Sequence, residues 1–277
     1  MSEVTAPLPP IITLTTDFAD RDTCVAQMKG VILSIAPEAR IVDLTHQIPA
    51  QDVLAGALAI ASARGAFAPD TIHVGVVDPG VGTDRAAIAI RTDHGTFVGP
   101  DNGLFTAVLS AATPLASVAL TNPTYHLPVV SHTFHGRDIF APVAAHLAAR
   151  TPLERMGKAA DPPVMLDIPT PRAMRQGLEL RVLVVDRFGN LITNLNTLDF
   201  DVWRSPSGDD PITIEVAGRS IPSIQCTYGD VARGELLAYF GSSGHLEIAV
   251  RDGNAARELG AGPDTIILLK KLRRGDA

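Results

Sequence analysis

Aromatic residues make up only 5% of the 277, and tryptophan occurs once. That is too few for a nucleic-acid surface that interleaves stacking rings with cations. Basic residues do not fill the gap: Lys and Arg number 23 against 30 Asp and Glu, a net charge of −7 with a pI near 5.6, so no broad positive face awaits a phosphate backbone. Cysteine is nearly absent. Cys24 and Cys226 stand far apart, which excludes a disulfide framework or a paired metal-ligand motif and fits a reducing, cytoplasmic setting. Long apolar runs are missing too. Met1 to Pro10 has no cationic start followed by an apolar run, and the stretch near Val53 to Ala68 is interrupted by Arg64, so neither a signal peptide nor a membrane span is expected. What is present is core material, 46% hydrophobic against 19% charged, with many turn formers in 23 Gly and 21 Pro. A folded chain of two domains, or one large domain with an appendage, is the expectation from this length.

From Ile11 to about Arg150, short β-branched runs alternate with helical stretches, the pattern of an α/β domain with a mainly parallel sheet covered by helices. Ile11 to Thr16 predicts a buried strand. Val25, Met28, Ile32 and Ile35 follow at spacings of three and four up to Pro37, predicting a helix. Strands over Arg40 to Thr45 and Thr71 to Val77 enclose a helix over Val53 to Ala63, and Ala86 to Arg91 and Thr96 to Val98 flank Asp93-His94-Gly95 as a hairpin. Helix is expected again over Leu104 to Ala111 and Ile139 to Ala149. The Pro-rich, aperiodic Thr151 to Gln176 reads as a connection, with a boundary near residue 170 that separates domains 1–170 and 171–277. Beyond it the helical pattern is gone. Leu178 to Val185, Ile212 to Ala217, Leu236 to Phe240, His245 to Val250 and Thr265 to Leu269 predict short strands, and Lys270, Lys271, Arg273 and Arg274 form a solvated basic tail.

Ligands of open α/β sheets sit beyond the carboxyl ends of the strands, where Asp17, Asp78 and Asp101 each follow an apolar run. Asp101 and Asn102 serve equally well as turn formers. Asp78-Pro79-Gly80-Val81-Gly82-Thr83-Asp84-Arg85 has the glycines of a phosphate loop but not its Lys-Ser/Thr. It puts a carboxylate and a guanidinium on one bent loop, as a pocket pair or as an ordinary surface ion pair. His132 and His135 are spaced by three, yet no third nitrogen or sulfur ligand lies nearby, so a metal would need Asp17 or Asp78. His135 precedes a helix whose N-terminus favours neutral imidazole.

Taken together, Thr15-Thr16-Asp17-Phe18 with Met28-Lys29-Gly30, Val77 to Thr83 with Arg85, Gly99-Pro100-Asp101-Asn102-Gly103, Thr133 to Asp138, Asp186-Arg187-Phe188-Gly189-Asn190 with Thr193-Asn194, and Ser242 to Val250 resemble the S-adenosyl-L-methionine (SAM) hydroxide adenosyltransferases. These SAM hydrolases are related to the fluorinase and chlorinase of nucleoside halogenation. The resemblance implies a small barrel-like all-β C-terminal domain that completes the substrate site, and homotrimers with the site between neighbouring subunits. It assigns Asp78, Arg85 and His135 to catalysis and Asp17 to the ribose hydroxyls. Asp22 and Asp186 fall around the amino-acid portion, Phe188 and Asn190 on the adenine side, and Ser242, Glu247 and Val250 at the C-terminal edge. Ala19 stands where the family usually has glycine, and Cys24 where an aromatic or hydroxyl residue is common.

The implied activity is hydrolysis of SAM to adenosine and L-methionine, with SAM as substrate and neither cofactor nor metal required. The short Asp93-His94-Gly95 turn leaves no room for the fluorinase's long insertion, and a halide would meet Asp78 unfavourably, which sets SAM-dependent halide transfer second. Two other classes remain open at this point: a divalent-metal nucleotide hydrolase using Asp17, Asp78 and Asp101, and a non-enzymatic SAM- or adenosine-binding protein.

Overall fold

The computed structural model describes residues 9–205 and 210–272; Arg273 and Arg274 of the basic tail lie outside the described residues. Two compact units meet in sequence at Asp167 and Ile168. The first holds seven strands, β1 (Ile11–Thr16), β2 (Arg40–Thr45), β3 (Ile72–Val76), β4 (Ala87–Thr92), β5 (Gly95–Pro100), β6 (Ala116–Ala119) and β7 (Lys158–Ala159). With them are helices α1 (Cys24–Ile35), α2 (Val53–Ala63), α3 (Thr106–Leu109) and α4 (Ala141–Ala148). Period two sorts the strand side chains: Ile12, Leu14, Val74 and Val76 join one core, while Phe97, Ile88 and Ile90 join the other. The α1 stripe of Val25, Met28 and Ile32 is buried in the first core beside the small alanines of α4. Each such buried aliphatic side chain contributes about 1.5–3 kcal/mol.

The sheet order is β2-β1-β3-β5-β4-β6-β7. Pairing is parallel from β2 through β5 and antiparallel from β5 through β7. The sheet is therefore mixed, not mainly parallel, and the hairpin is the reason. Thr92 pairs with Gly95 across Asp93-His94, and a two-residue connection can join only antiparallel strands. The helix expected over Leu104 to Ala111 contracts to α3, because Asn102 Oδ1 holds the Leu104 N–H at 3.2 Å in a turn ahead of it.

The helix expected from Ile139 begins earlier, as a π-turn over Gly136–Phe140 leading into α4. Pro142 has no N–H to offer the Asp138 carbonyl one turn back; Leu127 N donates to that carbonyl instead, at 2.9 Å. The widened turn follows from this substitution of partners.

The second unit contains β8 (Arg172–Met174), β9 (Gly177–Val185), β10 (Leu191–Asn196), β11 (Ile212–Val216), β12 (Arg219–Ile221), β13 (Ile224–Gln225), β14 (Leu236–Phe240), β15 (His245–Val250) and β16 (Ile266–Lys271). Its sheet runs β12-β11-β16-β9-β10-β15-β14-β13, with β8 on β9. The two end strands are consecutive in sequence, joined only by Pro222 and Ser223, so the sheet curls into a nearly closed barrel around Leu180, Val182, Ile214, Ile248 and Ile267. Strand β10 was not expected, nor were two short helices, α5 (Thr197–Arg204) and α6 (Ala255–Leu259). Both helices start at asparagine caps: Asn196 accepts from Asp199 N and Asn254 from Arg257 N. Helix α5 sets Phe200 and Trp203 against the barrel core but leaves Leu198 and Val202 exposed, so Leu198, Phe200 and Val202 alternate in sequence and mask the helical stripe. Among the described residues no helix is long and apolar enough to cross a membrane.

Candidate active site

The chain leaves β1 for β2 on one side and then crosses to β3 on the other. Helix α1 packs into the core on one face of the sheet, and residues of α2 pack into the core on the other. The carboxyl ends of β1 and β3 therefore border a topological switch point, where open α/β sheets leave a crevice. Thr16 pairs with Val76, so Asp17 and Asp78 emerge just beyond neighbouring strand ends. The segment before α4 supplies the facing wall. A cleft of about 300 Å³ results, lined by Asp17, Phe18, Gln51, Asp78, Pro79, Val81 and the Thr133 to Gly136 run.

At the cleft Arg85 joins two groups that lie far apart in sequence. Its Nε and Nη2 donate to Asp78 Oδ1 and Oδ2 at 3.1 and 2.6 Å, and Nη2 also donates to His135 Nδ1 at 2.8 Å. The Asp78 and Arg85 side chains are only 5% and 7% exposed. The pair is thus a buried fork, not a surface ion pair, and Phe140 backs the guanidinium at 5.5 Å. Burial raises the Asp78 carboxyl above its ordinary value, against the opposing pull of Arg85. Burial, then the Arg85 charge, lowers His135. Neutral imidazole was expected from the helix terminus; the direction holds, but desolvation and Arg85 cause it. The guanidinium has no lone pair to offer. His135 Nδ1 therefore accepts, and the ring carries its proton on Nε2.

Close loop packing sets this geometry. Gly82 has φ +77, and a Cβ there would lie 2.3 Å from the His132 carbonyl oxygen, so the Asp78 to Arg85 loop touches the histidine segment where only glycine fits. The histidine segment is itself braced by Asp138, fully buried, which accepts from Arg137 at 2.6 and 3.1 Å and from Ser131 N at 2.8 Å. Asp101 and Asn102 are turn formers here. Asp101 accepts from Val164 N at 2.8 Å, and Asn102 donates to the Val77 carbonyl at 2.9 Å, fixing the residue before Asp78.

Asp17 accepts from Gln51 N at 2.8 Å through Oδ2, and Oδ1 has no hydrogen-bond partner among the described residues. Gln51 adopts φ +66 to make this contact. Sequence reasoning missed it because a left-handed glutamine carries no compositional mark. Behind Asp17, Thr16 Oγ1 lies 2.9 Å from His46 Nδ1, and Asp43 joins His46 to Lys29. Asp22 sits exposed before α1 and is not among the cleft-lining residues.

The remaining predicted residues belong to the barrel. Asp186 Oδ1 caps the N–H groups of Phe188 and Asn190 in the turn between β9 and β10, and Phe188 projects at its apex, 74% exposed. Glu247 is buried on β15; desolvation, and beyond it repulsion from Asp186, raise its carboxyl. Ser242 is exposed in the β14–β15 turn, and Val250 packs in the barrel core. Tyr228 and Tyr239, absent from the sequence-based set, bond into the same group as Asn190 and Glu247. Among the described residues, no three His, Cys, Asp or Glu side chains cluster as a metal site. His132 and His135 do not converge with Asp17 and Asp78 on one centre, because Asp78 is held by Arg85 and Asp17 by Gln51.

The family model of the SAM hydroxide adenosyltransferase N-terminal domain matches residues 12–157, and that of the C-terminal domain matches residues 180–267. An (R)-S-adenosyl-L-methionine hydrolase from Salinispora tropica is 42% identical, the match covering 92% of this chain and 95% of that protein. A fluorinase from Nocardia brasiliensis is 29% identical over 87% of this chain and 90% of its own. An uncharacterized conserved protein of solved structure from Thermotoga maritima aligns with a TM-score of 0.86 and 36% identity, covering 94% of this chain and 100% of that one.

Proposed function

Because the chain belongs to the SAM hydroxide adenosyltransferase family, we propose that it hydrolyses S-adenosyl-L-methionine to adenosine and L-methionine, an activated water attacking ribose C5′. The observation that carries this reading is Arg85 binding Asp78 and His135 together at the edge of a small cleft. The sulfonium leaves as a neutral thioether and needs no general acid. Catalysis then reduces to aiming one water at C5′ and removing its proton. No cofactor enters the reaction.

The tautomer divides the labour. His135 Nδ1 is taken by Arg85 and Nε2 already holds a proton, so the imidazole donates to the water oxygen and aims its lone pair. Asp78 takes the proton. Its burial raises its proton affinity, while the Arg85 fork keeps it ionised until the water arrives. As hydroxide character meets the sulfonium, charge is lost, and displacement of water from the cleft by the bound substrate favours that change. Asp17 receives the ribose diol through Oδ1, whose lone pairs accept from both hydroxyls while Oδ2 holds the Gln51 N–H. Asp22 and Asp186 flank the amino-acid portion. Phe188 and Asn190 take the adenine side and Ser242 the remaining edge, while Glu247 and Val250, both buried in the barrel, contribute to that edge only as supports. The same proposal takes the assembly to be a homotrimer with the substrate between neighbouring subunits, which light scattering on the purified protein checks.

Incubating the protein with SAM and separating the products by chromatography tests the reaction. Stoichiometric adenosine and methionine are expected. SAM bound and returned intact would refute turnover, and activity abolished by a chelator and restored by magnesium would favour a metal hydrolase.

A further inference from the structure

The Asp186 to Asn190 turn is tied into the barrel by two tyrosines. Asn190 Nδ2 donates to Asp186 Oδ2 and to the Tyr228 hydroxyl, each at 2.9 Å. The Tyr228 and Tyr239 hydroxyls bond to each other, and Tyr239 donates to Glu247 Oε2 at 2.5 Å. With the Tyr239 proton committed to Glu247, the Tyr228 proton goes to Tyr239, and Tyr228 is free to accept from Asn190. Donation runs one way along the whole chain. Its far end is fixed, because Glu247 is 7% exposed and its Oε1 lies so near Gly241 that a Cβ there would come within 1.9 Å. Both donors of the Asn190 amide go to Asp186 and Tyr228, and its carbonyl oxygen has no hydrogen-bond partner among the described residues, although the residue is only 4% exposed. A ligand meeting that atom must bring an N–H or O–H.

We propose that Tyr228 and Tyr239 are substrate-positioning residues. Anchored on Glu247, they hold the Asn190 amide with its oxygen toward the ligand, so that the site selects a 6-aminopurine over a 6-oxopurine. This rests on the reading above in which Asn190 meets the adenine side.

The test is steady-state hydrolysis of SAM and of its 6-oxopurine analogue by the parent, Tyr228→Phe, Tyr239→Phe and Asn190→Ala proteins. Both tyrosine variants are expected to raise KM for SAM by about 3- to 10-fold, the scale of one neutral hydrogen bond. Their kcat should stay within about twofold and KM for the analogue should not move, so the preference for the amino purine shrinks. If Asn190→Ala raises KM while both tyrosine variants keep the parental value, the relay is wrong and the reading of the turn stands. If Asn190→Ala is also silent, the reading and the relay fall together. A matched loss of kcat on both substrates with a lowered melting temperature marks a merely structural role and overturns the proposal as well. Should buried Tyr239→Phe fail to fold, Tyr228→Phe, at a more exposed position, decides alone.

Discussion

Replacing Gly82 by alanine isolates the contact that brings the two catalytic segments together. The added Cβ would sit 2.3 Å from the His132 carbonyl oxygen, so the loops must part by about 1 Å to reach ordinary van der Waals contact. A displacement of that size at the neighbouring Arg85–His135 bond, now 2.8 Å, carries it beyond hydrogen-bonding range and is expected to lower kcat by about 10²-fold. The φ of +77 adds a conformational cost of roughly 1–2 kcal/mol for any residue with a Cβ. Gly80, two positions earlier, is the matched control: a Cβ there meets its nearest atoms at 3.5 Å, an ordinary contact. Gly80→Ala should therefore keep near-parental kcat. The assay is initial-rate adenosine release at saturating substrate, with thermal melting to confirm that both variants are folded. Equal kcat in the two variants, each folded, would mean that the loop contact does not set the catalytic geometry.

Ala19 adopts φ +53 at the position where the family resemblance expects glycine. Ala19→Gly should raise stability by about 1 kcal/mol by relieving the Cβ clash, read as a higher urea midpoint; a lower midpoint contradicts the strain. His73 is 1% exposed and burial holds its pKa near 4. The unfolded chain takes the proton from about pH 6.5 downward, whereas the fold refuses it until about pH 4. Stability should fall as pH drops through that window, by about 3 kcal/mol in all, and His73→Gln should remove this share in urea titrations at pH 7 and 4.5. A pH dependence shared by parent and variant would exclude the role. The acid limb of kcat/KM should lie above the ordinary carboxylate value of about 3.9, because burial raises Asp78, the group that must be ionised to take the proton. A limb at or below that ordinary value would contradict the proton assignment.

Much of this was legible because the decisive residues follow strand ends. Ile11 to Thr16 and the run ending at Val77 are apolar enough to announce strands, and Asp17 and Asp78 sit where such strands stop. Adjacency of β1 and β3 was not legible, since sheet order is a long-range property; nor was the mixed sheet, although the Asp93-His94 hairpin foreshadowed its antiparallel part. Local apolar patterns said nothing of the α5 and α6 helices, which rest on asparagine caps. The Asp78–Arg85 pair could be read from spacing, but its burial could not, and burial turns an ordinary ion pair into a perturbed one. Tyr228 and Tyr239 carry no motif of their own. They matter only because folding places their hydroxyls between Asn190 and Glu247.

The claim beneath all of this is that a water held by His135 and deprotonated by Asp78 becomes the 5′-oxygen of adenosine. Turnover of SAM in water enriched in the heavy oxygen isotope, followed by mass analysis of both products, reads that directly. The label should enter the 5′-hydroxyl of adenosine at one oxygen per turnover, at a rate that falls by about 10²-fold or more in Asp78→Asn. Label carried by methionine, or an undiminished rate in that variant, would contradict it.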